Sequence, residues 1–194
     1  MARPVSGNKQ QDIRNATIAE VAAVGSTGVS VNKIAKRAGV SVGTIYRFYE
    51  TKDDLLFAVY LDVKTDIHNA IMGATNAQQH TADKIRAMWF GLVEYAIKAP
   101  QDFLFVEMLA PETRVNSRDT TALEKMRSEI LQQLEDGVAN GTLVSASTRS
   151  IELMLAAPAI SLAKRSSLLG TMPDQEQLDE VFSLVWASIS KHST

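Results

Sequence analysis

Apolar residues return along this chain at intervals of three and four, the spacing that gathers them on one side of an α-helix. In the first run Ile13, Thr17, Val21 and Val24 share a face, and Gly25 and Gly28 mark its end. A short run from Val31 to Ala38 turns Ile34, Ala35 and Ala38 inward and is stopped by Gly39. Ser41 is placed to cap a third helix, Val42 to about Phe48. Thr51 caps a long helix that opens with Asp53 and Asp54, acids suited to the positive end of a helix dipole. Its stripe is Leu56, Tyr60, Val63, Ile67 and Ile71.

The remaining chain repeats the pattern in longer units. A helix starting at Thr81 aligns Ile85, Met88, Trp89, Leu92 and Ala96 and is ended by Pro100. Asp102 to Ala110 is short and apolar, closed by Pro111. Thr121 and Glu124 have capping-box spacing ahead of Leu123, Met126, Ile130, Leu134 and Val138, and Asn140-Gly141 stops that helix. Thr148 to about Leu169 is apolar nearly all round, with Pro158 as an expected kink. Asp174 with Gln177 caps the last helix. The period-two alternation of half-buried strands is missing. The expected fold class is all-α, with about nine helices.

Composition narrows the chemistry. Of 194 residues 45% are apolar and 22% charged, the balance of a globular chain. The chain has no cysteine, which excludes disulfides, thiolate metal sites and thiol catalysis. The opening MARPVSGNKQQD lacks the apolar core of a signal peptide. The longest apolar stretch, Leu153 to Ala163, falls short of the roughly 20 residues needed to cross a bilayer. These features predict a cytoplasmic protein with no membrane partner. His68, His80 and His192 have no metal-ligand spacing and are expected at the surface, so no metal and no cofactor is predicted.

Charge is unevenly spread. Residues 1–52 carry eight Lys and Arg against three acids, a net of +5, which leaves −7 on the remainder. A basic head on an acidic body suits nucleic acid: the head attracts phosphates and the body discourages indiscriminate coating.

The stretch SVNKIAKRAGVSVGTIYRFYETK, residues 30–52, joins two short helices by a tight glycine turn and so reads as a helix-turn-helix. Ile34, Ala35, Val40 and Ile45 would hold the pair against the first helix, leaving Val42, Gly43, Thr44, Tyr46 and Arg47 outward for a major groove. Gly39 to Gly43 also spells G-x-S-x-G, but a nucleophile elbow needs a preceding strand, and a helical run precedes it here. No enzyme is predicted.

The pattern IAKRAGVSVGTIYRFYETKDDLL resembles the tetracycline-repressor (TetR) family of bacterial regulators over about residues 10–60, Gly28 included. The resemblance implies a homodimer in which three N-terminal helices bind a double-stranded DNA operator and a C-terminal bundle dimerises and binds an effector. It assigns residues 1–9 to a flexible arm, 10–52 to the DNA-binding domain with its motif at 30–49, and 53–194 to the effector and dimerisation domain. By position, Thr44, Tyr46 and Lys52 would anchor phosphates, and Val42, Gly43 and Arg47 would meet base edges. Ser30 and Lys33 complete the DNA-contacting set. Two positions depart from the pattern: the residue after Arg47, often His, is Phe48, and the next aromatic is Tyr49. Phe48 cannot donate a hydrogen bond, so one phosphate contact is in doubt.

For the bundle, Trp89, Tyr95, Phe103, Met108, Met154 and Trp186 are the candidate pocket residues for a small apolar or amphipathic effector. Trp89 and Tyr95 lead because each adds a polar atom to an apolar wall. Glu94, Glu107, Arg114 and Arg118 could mark a charged ligand without being placed inside or out. The stripe Leu178, Val181, Val185 and Ile189 is the candidate dimer seam. The expected function is a ligand-responsive repressor released from a palindromic operator. An activator or a nucleoid-type binder would need the same head. The alternative is a helical ligand-binding or enzymatic bundle without DNA binding.

Overall fold

The computed structural model describes residues 9–109, 120–171 and 173–191. The described helices are α1 (Lys9–Val24), α2 (Val31–Ala38), α3 (Val42–Phe48), α4 (Lys52–Asn76), α5 (Thr81–Lys98), α6 (Pro100–Leu109), α7 (Thr121–Ala139), α8 (Thr148–Leu169) and α9 (Gln175–Ile189). The fold is all-α. Extended pairing among the described residues is limited to one isolated bridge, Leu143 with Ser190, which ties the α7–α8 turn to the end of α9. The expected arm, the Pro111 stop, Arg114, Arg118 and His192 lie outside the described residues, apart from Lys9, which opens α1.

Local capping sets most boundaries. Ser41 Oγ accepts from the Thr44 amide at 3.1 Å and starts α3. At α4 the Thr51 hydroxyl accepts from the Asp54 amide at 3.1 Å while Asp54 accepts from the Thr51 amide at 3.0 Å, a reciprocal box. Asp174 accepts from the Gln177 amide at 2.8 Å to open α9. The expected box at Thr121 is not formed: Thr120 takes the cap position, and its hydroxyl bonds the Glu124 carboxylate at 2.9 Å instead of a backbone amide. Pro100 follows the end of α5 as expected and is itself the first residue of α6, where a missing amide costs nothing. α8 continues through Pro158.

Two large apolar clusters, with a small third one of Ala96, Phe103 and Ala163, fill the interior of the described residues. One joins Ile13, Val21, Ile34, Ile45 and Leu55 to Phe105, Val106 and Leu109, so α6 belongs to the core of the N-terminal head. The other gathers Ile85, Trp89, Leu134, Ile151, Leu178, Phe182 and Ile189 from the bundle helices. α1 departs from its predicted face at Val24, which is 41% exposed, while Thr17 and Glu20 are buried. Thr17 is satisfied by donating to the Ile13 carbonyl at 2.8 Å.

Gly28 sits where the chain leaves α1 for α2. A Cβ there would lie 2.7 Å from the Val24 carbonyl oxygen, closer than backbone allows without movement. Gly28→Ala is therefore expected to destabilise the fold by about 1–3 kcal/mol. A lowered urea midpoint checks it; an unchanged midpoint would show that the turn relaxes freely.

Candidate functional site

The head is built around a rigid corner. α2 ends in a Schellman turn: the Gly39 amide bonds the Lys36 carbonyl at 3.3 Å and the Val40 amide bonds the Ala35 carbonyl at 3.0 Å. Gly39 has φ +69°, the left-handed conformation that glycine adopts without strain. Ile34, Ala35 and Ile45 are buried, fixing α2 and α3 against α1. The G-x-S-x-G residues are this corner, with Ser41 spent on capping α3.

α3 presents its far side to solvent. Tyr46 is 48% exposed, and Gly43 and Arg47 are exposed beside it. The Arg47 guanidinium lies 5.3 Å from the centre of the Phe48 ring, so Phe48 supports Arg47 by a cation–π contact. Thr44 is half-buried, its hydroxyl 2.9 Å from Ser41 Oγ. Val42 is half-buried and packs against the head core, so it is less available than the pattern implied. Ser30 occupies the cap position of α2 without a side-chain cap bond, which leaves its hydroxyl and the first amides of α2 for another acceptor. Lys52 opens α4 and is half-buried. Lys33 is exposed, yet its ammonium lies 3.7 Å from Glu20, with Arg37 at 3.8 Å from the same buried carboxylate. Glu20 thus holds two cations of α2 on the head surface.

Head and body are tied by one guanidinium. Arg14 on α1 reaches Asp66 of α4 and Asp102 of α6, both at 2.7 Å. Charge-assisted bonds this short are strong ones. The Tyr95 hydroxyl lies 3.4 Å from Asp102. Burial first, then the Asp102 and Asp66 carboxylates, pushes the Tyr95 phenol up to about 12, so it stays a donor.

Beneath this junction is a cavity of about 430 Å³ lined by α4, α5, α6, α7 and α8. Met88, Trp89, Leu92, Phe103, Val106, Ile130, Leu134 and Leu155 make apolar walls. Tyr60, Lys64 and His68, spaced one turn apart on α4, line it together with Glu107, Arg127 and Glu152. Arg127 bonds Glu152 at 2.8 Å. His68 Nε2 lies 2.8 Å from the Glu129 carboxylate, and its Nδ1 is buried without a partner among the described residues. The Trp89 indole N–H is likewise sealed and unpartnered among them. Burial lowers the Lys64 pKa, against the opposing pull of Glu107 and Glu152.

Of the six predicted pocket residues, Trp89 and Phe103 line this cavity and four do not. Tyr95 lies in a separate groove between α4 and α5. Met108 and Met154 are 37% and 48% exposed, and Trp186 stacks on Phe182 within the bundle core. His68, expected at the surface, has a side chain only 11% exposed. Glu107 is on the cavity wall, whereas Glu94 is in the α4–α5 groove, paired with Lys98 at 3.1 Å. Sequence reasoning missed Lys64, His68 and the α7 wall because it weighted aromatic residues. The i, i+4, i+8 spacing of Tyr60, Lys64 and His68 was the available signal.

The residues of the predicted dimer seam lie in the chain's own core. Leu178, Val185 and Ile189 are at most 6% exposed and belong to the bundle core, with Val181 packed against them. That stripe is already covered by its own chain. The large apolar residues left outward on α8 and α9 are Leu153, Leu168, Leu169 and Leu184, each more than 60% exposed, besides Met154.

A three-helix head with an outward second motif helix, joined to a helical bundle around a cavity, defines the helix-turn-helix class of transcription regulators. Residues 13–59 match the family described as bacterial regulatory proteins, tetR family. The regulator BetI of Cronobacter sakazakii is 27% identical over 147 residues, 69% of this chain and 73% of that protein. BetI 2 of Chromohalobacter salexigens is 35% identical over 69 residues, and the match spans about a third of that protein (33%) and 36% of this chain. A TetR family transcription regulator from Marinobacter aquaeolei shares the fold with a TM-score of 0.86 at 23% identity, over 95% of this chain and 96% of that one. Residues 13–59 thus carry the tetR-family match, and the chain as a whole shares the fold of a tetR-family structure.

Proposed function

We propose that this protein is a cytoplasmic transcriptional repressor that grips a near-palindromic operator as a homodimer and releases it when a small amphipathic molecule enters the α4–α8 cavity. The carrying observation is the arrangement of α3: a capped helix on a fixed glycine corner, with Tyr46 and Arg47 facing solvent on the basic end of the chain. Two copies of α3 about 34–36 Å apart would enter successive major grooves.

The release mechanism follows from shared walls. α4 carries the head at one end and lines the cavity further along. α6 lines the same cavity through Phe103 and Val106 and holds Arg14 of the head through Asp102. A ligand that shifts either helix changes the head's tilt, and a coupling of about 1–3 kcal/mol suffices for regulation. Binding and tilt require no catalytic step. The outward leucines of α8 and α9 support pairing of two copies through those helices.

The test is a gel shift with the DNA upstream of the protein's own gene, repeated at rising salt. A sequence-preferring complex that weakens steeply with salt is expected, because phosphate neutralisation releases counterions. Absence of any such complex would overturn the repressor reading.

A further inference from the structure

Resting on the ligand-responsive reading above, we propose that the cavity selects a monocarboxylate with an apolar body, the carboxylate held by Lys64 on α4. The walls opposite α4, including Met88, Leu92 and Leu155, are apolar and suit a hydrocarbon or aromatic body. The charged groups on the wall divide by whether they are already matched. Arg127 and Glu152 bond each other at 2.8 Å, and His68 is bonded to Glu129 behind the wall. Lys64 makes no hydrogen bond or ion pair among the described residues.

The half-buried ammonium of Lys64 has lost water that the nearby acids do not replace. Burial lowers its pKa although Glu107 and Glu152 both act to raise it. An added carboxylate supplies the missing acceptor. His68 lies one turn further along α4. The Glu129 carboxylate can only accept, so His68 Nε2 donates to it. Glu107, half-buried beside Lys64, disfavours a second negative charge on the ligand and so limits it to one. Lys64 stands on the helix that carries the DNA-reading head, so the ligand's charge pulls on that helix directly.

Sodium decanoate, decanol and decyltrimethylammonium form a charge series on one chain length, and each is titrated below its micellar concentration into the full-length protein. Calorimetry and tryptophan fluorescence report binding. Decanoate is expected to bind at least tenfold tighter than the alcohol or the cation. Lys64→Met should weaken decanoate at least tenfold, with circular dichroism confirming the fold, while Lys64→Arg should retain most of it. Glu107→Gln should tighten decanoate, a response that a merely structural role for Lys64 would not produce. Equal or tighter binding of decanol or the cation, indifference to Lys64→Met, or failure of all three probes to bind would each overturn the proposal. Such a result would leave wild-type operator binding intact, whereas loss of operator binding alone would sink the repressor reading and leave the charge preference standing.

Discussion

Arg47→Ala and Tyr46→Ala are each expected to weaken operator binding by about 1–3 kcal/mol, roughly 5- to 150-fold, with the thermal midpoint of the protein unchanged. Stability should hold because both side chains are exposed and the helix is fixed by Ile45, Ser41 and the Gly39 corner instead. The two losses should differ in kind. On the proposed reading Arg47, steadied by Phe48, meets base edges, so its removal should flatten the difference between operator and scrambled DNA. Tyr46, assigned to a phosphate, should weaken all sequences alike. Electrophoretic mobility titrations on operator and scrambled duplexes separate the outcomes. Wild-type affinity in both variants would favour the alternative, a ligand-binding bundle whose N-terminal helices only pack.

What the sequence revealed follows the range of the forces involved. The head was legible because its determinants are local: Gly39 turns the chain within two residues, Ser41 caps within three, and Thr51 with Asp54 forms a box within three. At α7 the sequence placed the cap at Thr121, and the structure places it one residue earlier, at Thr120. The cavity was only partly legible because five helices build it, and periodicity says nothing about which helix faces which. On α4, Lys64 and His68 look like a solvent face until α7 and α8 cover them. The tie between head and body was not legible at all, since Arg14 meets Asp102 across 88 positions. Tyr95 offers a polar atom as the sequence suggested, but that hydroxyl lies at the Asp102 junction and not at the cavity wall.

Leu184→Glu is expected to split the proposed dimer, and the reason lies in the two faces of α9. Leu178, Phe182, Val185 and Ile189 fill the chain's own core, so the helix has a single side left for a partner, and Leu184 on that side is 68% exposed. In a twofold interface the substitution enters twice, and each copy would bury a carboxylate with no cation assigned to it. That costs several kcal/mol, enough to dissociate a dimer of micromolar or weaker affinity. Light scattering should then report half the wild-type mass, and operator affinity should fall at least a hundredfold because one head reaches only one half-site. Leu178→Ala is the contrasting case. It removes core packing and should lower stability by about 2–5 kcal/mol while the folded fraction keeps its dimer mass. If Leu184→Glu remains dimeric and Leu178→Ala dissociates, the seam is coupled to the inner stripe after all, and the outward leucines serve some other contact.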